Sequence, residues 1–351
     1  MIKTLDQEFN WPFITIITPV FNSARALPDY FNGLKQATYP KDKIRIIMPD
    51  GGSTDKTREI AKTHDAIVLD NQLKTAEAGK AVGIAYLKKI NNAGQDKKLI
   101  HLVCLLDSDN ILTDPDWFER MVKPFIDDPT IIGAEPWQYY YRPTDAAMTR
   151  YTAMIGVSDP VTIFLGNYDR LNILTGRWTD MPIKTTDFGD YFSWKIDAKA
   201  MPTIGANGTF FRTSFFDESE IGDYLFDIDV LYSYSLKHQG RYAKVKIGLV
   251  HTYCRTLNDF IRKQNRRITD FHYFHSIGLR KYPWKNVNQA GLLTFIIYTV
   301  LIFPLIWQAF RGWLKQPDTA WLLHPIACWI TLIIYGYNTI LKRLRPPTLT
   351  N

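Results

Sequence analysis

The chain has 351 residues, a formal net charge of +7 and 46% hydrophobic residues, enough for one large domain and an appendage. Much of the positive charge lies beside apolar stretches near the C-terminus, which favours anionic lipid headgroups over nucleic acid as the partner. The three cysteines have neither paired nor metal-type spacing, so the sequence indicates no disulfide framework.

Residues 13–110 alternate short apolar runs with helical patterns. We predict strands at 13–18, 44–48, 66–69 and 99–106, and helices at 27–38, 55–63 and 79–90. This alternation predicts a largely parallel α/β sheet with helices on both faces. The first strand is followed by neither a G-x-G-x-x-G pattern nor a phosphate-binding P-loop, which disfavours dinucleotide dehydrogenases and P-loop enzymes.

Two carboxylates, Asp107 and Asp109, follow the fourth predicted strand and flank Ser108. The carboxyl ends of parallel strands are where open α/β sheets bind ligands. Two hard oxygen ligands there suit Mg²⁺ or Mn²⁺ with open positions for a phosphate. The alternative interpretation is a solvated turn.

Residues 111–255 are less regular than the first part of the chain. The patterns predict a helix at 117–125, a strand at 131–140, a glycine-rich strand or loop at 203–212, a helix at 227–238 and a last strand at 242–250. Between them, residues 144–197 form a long aromatic-rich region without a clear period.

Two stretches near the C-terminus, 286–310 and 319–341, contain no charged residue, and each exceeds the ~20 residues that cross a bilayer. We predict a two-helix transmembrane hairpin over 290–345, preceded by a basic amphipathic interfacial segment at 256–289. Basic flanks favour a cytoplasmic location for both termini. The alternatives are a re-entrant hairpin, because Pro304 and Pro325 interrupt the spans, and buried helices of a soluble bundle.

Six motifs in this order resemble family 2 glycosyltransferases: Ile16-Ile17-Thr18-Pro19-Val20-Phe21-Asn22, Asp50-Gly51-Gly52-Ser53-Thr54-Asp55, Gly79-Lys80-Ala81, Asp107-Ser108-Asp109, Gly205-Ala206-Asn207-Gly208 and a late acidic helix. The resemblance covers roughly residues 13–267. It implies the GT-A fold, a Rossmann-like catalytic domain at 1–255 with a nucleotide-sugar half at 13–110 and an acceptor half at 111–255.

The resemblance also implies a donor site. Its residues would be Thr18, Pro19, Phe21, Asn22, Asp50, Gly51, Lys80, Asp107 and Ser108. Asp50 would bind the base, or else cap its own turn, and Lys80 would lie near the diphosphate, or else be a solvated helix charge. Asp107, Asp109 and His251 would hold Mn²⁺ or Mg²⁺, although His251 is nearly as compatible with a core histidine.

For the catalytic base, the resemblance implies an aspartate at the start of the late helix. Counting back from Gly240 selects Asp229, and Asp227 is the second candidate; helix N-terminal acidity is the alternative role. The implied acceptor-binding residues are Gly205, Ala206, Asn207, Gly208, Gln264, Arg266 and Arg267. Ile268 stands where processive synthases of the family have Trp, which argues against a polymerising channel.

These observations together predict a membrane-anchored, non-processive inverting glycosyltransferase at the cytoplasmic face. It would use a UDP- or GDP-sugar and a lipid-linked acceptor, either a polyprenyl phosphate or a sugar already on a lipid. The alternatives are a non-catalytic nucleotide-sugar-binding module and a transferase for a polysaccharide acceptor. The sequence predicts no oligomeric state.

Overall fold

A mixed ten-stranded sheet forms the centre of the computed structural model, which describes residues 10–91, 100–284, 288–344 and 349. The strands are β1 Phe13–Ile17, β2 Ile44–Asp50, β3 Ile67–Asp70, β4 His101–Leu106, β5 Asn110–Ile111, β6 Ile131–Tyr140, β7 Thr186–Asp187, β8 Tyr191–Lys195, β9 Asn207–Arg212 and β10 Arg241–His251. The start of the predicted strand at 99–106 falls on Leu99, outside the described residues.

The sheet has the order β3-β2-β1-β4-β9-β6-β10-β8-β7, and β5 pairs with β10. The first four strands in this order are parallel, whereas β9 is antiparallel to both β4 and β6. The carboxyl ends of β1, β2 and β4 therefore meet at one edge. This mixed α/β sheet is consistent with the predicted GT-A fold.

Alternating side chains of the strands enter two apolar cores, one on each face of the sheet. In β1, Ile14 and Ile16 join one core and Ile17 joins the other. The helices of this part are α1 Leu27–Gln36, α2 Thr57–Thr63, α3 Ala76–Asn91, α4 Trp117–Asp127, α5 Ala147–Ile155, α6 Val161–Leu165, α7 Thr213–Asp217 and α8 Asp227–Lys237. The aromatic-rich region 144–197 thus contains α5, α6, β7 and β8, which the sequence did not predict.

Four further helices follow β10, namely α9 Leu257–Ser276, α10 Gln289–Leu301, α11 Phe303–Lys315 and α12 Leu323–Leu344, with a 3₁₀ turn at Thr319–Leu322 before α12. Helix α9 occupies the predicted basic segment and begins with a capping box between Thr256 and Asp259.

The predicted two-helix hairpin is not confirmed, because three helices occupy its place. Within the described residues, Thr319–Lys342 is long and apolar enough to cross a membrane. Helices α10 and α11 meet that test only as a pair, and they are bent by 96°. The bend lies at Ile302, whose φ of 62° is left-handed, and Pro304 in the next turn lacks the N–H that would continue α10.

Candidate active site

The loops after β1 and β2 bind each other at the carboxyl edge of the sheet. Asn22 donates its backbone N–H to Ser53 Oγ at 2.8 Å and accepts the Thr54 N–H on Oδ1 at 2.9 Å. Its φ of 47° lets it serve both contacts. Thr18 is buried and its hydroxyl bonds the Tyr30 hydroxyl at 2.7 Å, whereas Phe21 is 56% exposed on the outer side.

Two small residues allow close packing around these loops. Gly51 donates its N–H to the carbonyl of Val20 at 2.9 Å, which continues the contact between the first two loops. Gly79 begins the second turn of α3 against Pro19, and a Cβ added there would lie 2.8 Å from Pro19 Cβ. The predicted donor-site residues of β1, β2 and α3 therefore do come together.

Asp50 is buried, and its carboxylate is occupied by its own turn. It accepts the N–H groups of Gly52 and Ser53 at 3.1–3.2 Å, the Ser53 hydroxyl at 2.5 Å and Arg58 at 2.9 Å. These contacts correspond to the capping role that the sequence left as the alternative. A role in binding a nucleobase stays a prediction.

The Asp107-Ser108-Asp109 turn connects β4 to β5 and directs its two carboxylates to different surroundings. The Asp107 carboxylate accepts no hydrogen bond from any residue that the structure describes, and it interacts electrostatically with Lys80 and Asp227. Asp109 Oδ1 lies 3.5 Å from His251 Nε2, and Oδ2 lies 3.5 Å from Lys263 Nζ. The Ser108 hydroxyl is 3.2 Å from that of Ser23.

The two carboxylates of this turn have opposite pKa shifts. Burial and repulsion from Asp109 raise the pKa of Asp107 to about 7. Burial opposes ionisation of Asp109 as well, but His251 and Lys263 outweigh it and hold the pKa of Asp109 well below its usual range. The turn therefore carries negative charge that the protein neutralises on one side only.

Lys80 and Asp227 form a buried ion pair between α3 and the first residue of α8, with Nζ and Oδ2 2.7 Å apart. Burial acts to lower the pKa of Lys80, yet Asp227, Glu77 and Asp107 outweigh it and raise that pKa. Asp227 Oδ1 is buried without a hydrogen-bond partner among the described residues. Lys80 is thus not a solvated charge, and one oxygen of Asp227 is free.

Asp229 faces away from this pair. Its Oδ2 accepts Arg280 Nε at 2.8 Å, and its Oδ1 accepts the backbone N–H groups of Lys281 and Tyr282. These contacts anchor the segment after α9 to α8. The structure therefore brings Asp227 to the predicted donor site and places Asp229 in a structural contact; the catalytic role of each stays a prediction.

The glycine-rich segment lies directly against the Asp107 turn. The carbonyl of Ala206 accepts the Asp107 N–H at 3.2 Å, and Asn207 Oδ1 accepts Asn110 Nδ2 at 3.0 Å. The hydroxyl of Thr209 donates to the carbonyl of Gly205. Gly208 has a φ of 75°, and a Cβ there would lie 2.7 Å from Leu249.

A buried cluster of charges that the sequence did not predict supports this segment. Glu135 bridges Arg170 Nη1 and Lys244 Nζ, each at 2.5 Å, and all three side chains are fully buried. Arg170 also donates to Asp169 at 2.6 Å and to the carbonyl of Asn207 at 3.3 Å. No local signal reveals this cluster, because its members come from β6, β10 and the loop after α6.

The predicted acceptor residues of α9 lie elsewhere. Gln264 is buried and contacts the Ser158 carbonyl at 2.8 Å and the Tyr335 hydroxyl at 2.9 Å. Arg267 is 3.7 Å from Asp159 Oδ2, and Arg266 is exposed. Gln264 and Arg267 thus face α12, and their acceptor role stays a prediction. Lys263, from the same basic run, is the α9 residue beside Asp109.

The donor set of the turn fits a divalent cation in part. Asp109 Oδ1 is buried without a hydrogen bond within the described residues and lies next to His251. The two side chains together offer an oxygen and a nitrogen ligand to a metal ion. In that part of the chain no group of three or more His, Cys, Asp or Glu side chains is arranged to hold a metal. Mg²⁺ and Mn²⁺ sites at phosphates commonly complete their shells with water and phosphate oxygens.

The family description "Glycosyl transferase family 2" matches residues 15–182. Glycosyltransferase AglE of Haloferax volcanii is 32% identical over 79 residues, which are 21% of this chain and 26% of that relative. Mannosyltransferase PcManGT from Pyrobaculum calidifontis, in complex with GDP-Man and Mn²⁺, is 16% identical, with a TM-score of 0.47 over 93% of this chain and 88% of that one.

Glucosyl-3-phosphoglycerate synthase from Mycobacterium tuberculosis, in complex with Mn²⁺, UDP and phosphoglyceric acid, is also 16% identical. Its TM-score is 0.43 over 76% of this chain and 79% of that one. The residues matched by the family description include the loops after β1 and β2, Lys80 and the Asp107 turn. Residues 15–182, just under half of the chain, are therefore similar to family 2 glycosyltransferases.

Proposed function

We propose that the protein is an inverting, metal-dependent glycosyltransferase that moves a sugar from a nucleotide-sugar to an acceptor linked to a membrane lipid. The observation that carries this proposal is the Asp107-Ser108-Asp109 turn. It lies where β1, β2 and β4 end, with Asp107 beside the Lys80–Asp227 pair and Asp109 3.5 Å from His251.

The donor would bind across the loops after β1 and β2. The exposed ring of Phe21 offers a surface on which a nucleobase can stack, and stacking would remove that apolar area from water. Lys80 adds a positive charge close to Asp107, where it would attract the diphosphate. Since Asp50 is already fully engaged in its turn, we assign it to loop geometry rather than to base recognition.

Asp107 and Asp109, with His251, would hold a Mn²⁺ or Mg²⁺ ion at this turn. When bound, the ion supplies Lewis-acid stabilisation of the charge on the leaving nucleotide. The carboxylate of Asp107 is free to bind such an ion. Burial and repulsion from Asp109 raise its pKa to about 7, and a nearby cation would offset both effects. Lys263 provides a further positive charge 3.5 Å from Asp109.

Asp227 is the better-placed general base of the two candidates. It lies beside Lys80 and Asp107, and its Oδ1 is buried with no hydrogen-bond partner within the described residues, so it can accept a proton from an acceptor hydroxyl. Asp229 has no free oxygen facing this site, because Arg280 and two backbone N–H groups occupy both oxygens of its carboxylate.

The acceptor would enter through a cleft of about 320 Å³ beside Asp109. Ser108, Arg142 and Thr149 line it, and Arg255 adds an exposed positive charge. One wall is α5, whose Tyr151 hydroxyl is 2.8 Å from His324 in the first turn of α12. The cleft therefore lies one helix away from the apolar C-terminal helices, which favours an acceptor presented by a membrane. The basic flanks of these helices favour the cytoplasmic face.

The test is transfer by the full chain in membranes, with radiolabelled UDP- and GDP-sugars and with polyprenyl phosphate or a lipid-linked sugar as acceptor. We expect label in the lipid extract, lost with EDTA and in Asp107→Asn. Asp42→Asn is the matched control, because Asp42 is exposed at the opposite end of β2. Tight nucleotide-sugar binding without transfer would instead favour the non-catalytic binding module.

A further inference from the structure

The C-terminal helices α10, α11 and α12 contact the catalytic part of the chain. The connection between α11 and α12 is bound to it, since Asp318 pairs with Arg150 at 3.0 Å and Lys315 Nζ donates to the carbonyl of Leu174 at 2.7 Å. In a hairpin of two membrane spans this connection would lie on the side of the bilayer opposite to the catalytic part. The observed contacts therefore do not fit two crossings.

Helix α12 also contacts the catalytic part near its start and α9 near its end. Near its start, His324 bonds Tyr151 at 2.8 Å, and near its end Thr339 is 3.3 Å from His272 of α9. Fifteen residues separate His324 and Thr339, about 23 Å at 1.5 Å per residue. Helix α9 carries exposed charges such as Arg266, which belong at headgroup level. Helix α12 must therefore lie along α9 rather than cross below it.

The two faces of α12 support this orientation. One face is buried and partly polar, and consists of His324, Ala327, Cys328 and Thr331. The other face exposes an apolar stripe made of Leu322 in the preceding turn, Ile326, Ile333, Tyr337, Ile340 and Leu344. A helix that packs one face on the protein and exposes an apolar stripe on the other can lie in the plane of a membrane surface.

Helices α10 and α11 continue the apolar surface to a corner. Phe303, at the 96° bend, is 81% exposed, and Trp307 and Phe310 follow on the outer side of α11. The first turn of α10 and the last turn of α11 are both held against the catalytic part, at Gly291 and Lys315. The corner is thus the point of this segment that lies farthest from its attachments.

We propose that α10, α11 and α12 enter only one leaflet of an anionic bilayer, with the α10–α11 corner deepest, and that none of them crosses it. Exposed Arg262 and Arg266 on α9 and Arg311 on α11 flank the apolar surface and match anionic headgroups. This inference concerns the membrane partner of the proposed function. It would keep the cleft beside α5 at the level of the lipid headgroups.

The inference can be tested by labelling cysteines of the full chain with an impermeant maleimide in inverted membrane vesicles. The native Cys104, Cys254 and Cys328 are buried, so the unmodified chain gives the background. Pro317→Cys reports the α11–α12 connection, and Leu73→Cys, at an exposed position of the catalytic part, is the control. We expect equal labelling of the two in intact vesicles.

Phe303→Cys should stay unlabelled in intact vesicles and become reactive in detergent. Labelling of Pro317→Cys only after permeabilisation would show two crossings and overturn the inference. Failure of the chain to float with anionic vesicles, or protection of Phe303→Cys by dimerisation without lipid, would overturn it as well. If these patterns hold while no sugar reaches any lipid acceptor, the proposed function fails and the inference stands.

Discussion

The assignment of Asp227 rather than Asp229 as the base can be tested with two isosteric substitutions two residues apart. Asp227→Asn removes the free carboxylate oxygen beside Lys80 and Asp107. With a sugar hydroxyl as acceptor, we expect kcat to fall by ~10² to 10⁴, the range for loss of a general base. Donor affinity should change far less, because the amide keeps the shape of the side chain.

Asp229→Asn should lower stability and leave turnover nearly unchanged. Its Oδ1 keeps both backbone N–H groups, but an amide nitrogen replaces the Oδ2 that accepts Arg280 at 2.8 Å. Loss of a hydrogen bond between charged groups costs ~1.5–3 kcal/mol. At about 2–4 °C per kcal/mol in chains of this order of size, the melting temperature should fall by roughly 3–12 °C. We expect kcat to stay within a few-fold of the unmodified chain.

The assay is steady-state transfer in lipid vesicles at a temperature well below both melting points, combined with thermal denaturation of each variant. If Asp229→Asn abolishes transfer while its melting temperature is unchanged, the reasoning from contacts is refuted. A polyprenyl phosphate acceptor is already anionic and needs little deprotonation. If Asp227→Asn slows transfer to a lipid-linked sugar and spares transfer to a lipid phosphate, the base role is established.

Three further changes test the surroundings of the turn. Asp109→Ala should abolish metal-dependent nucleotide binding without unfolding the domain, and equal calorimetric affinity of the unmodified chain with and without EDTA would contradict the metal assignment. Glu135→Gln should destabilise the chain by ~3–5 kcal/mol in urea denaturation, because Arg170 and Lys244 stay buried with less compensation; a loss below about 1 kcal/mol would show that these charges re-pair. Asn207→Ala should weaken the free energy of nucleotide binding more than it lowers the free energy of unfolding, and parallel titration and melting experiments would separate the two effects.

Where local patterning decides the structure, the sequence was sufficient. The apolar run before Asp107 predicted β4, and the strand at 131–140 was predicted with the bounds that the structure has. Such strands place alternate side chains in two cores, so their pattern is visible without knowledge of their neighbours. The residues of the donor site that lie at the ends of these strands could therefore be predicted as well.

Features that depend on contacts between distant segments were not predictable in this way. Asp227 and Asp229 are equivalent by composition, and only Lys80 and Arg280, each far away in the chain, distinguish them. The C-terminal helices give a similar case, since apolar composition predicts contact with lipid but not its direction. In the orientation that we propose, the bend at Ile302 and the pairing of Asp318 with Arg150 decide that direction.

The hydrogen bonds of the buried cluster of Glu135, Arg170 and Lys244 indicate its role at the site. Burying charges costs more than burying apolar groups of similar size, so stability alone is a weak reason for the cluster. Arg170 contacts the carbonyl of Asn207, whose side chain bonds Asn110, and Asn110 Oδ1 accepts the N–H of Asp107 at 3.2 Å. A continuous series of hydrogen bonds thus joins the cluster to the backbone of the turn that carries the proposed metal ligands. Because a turn with two repelling carboxylates tends to open, a rigid support from beneath would hold both in place before the donor binds.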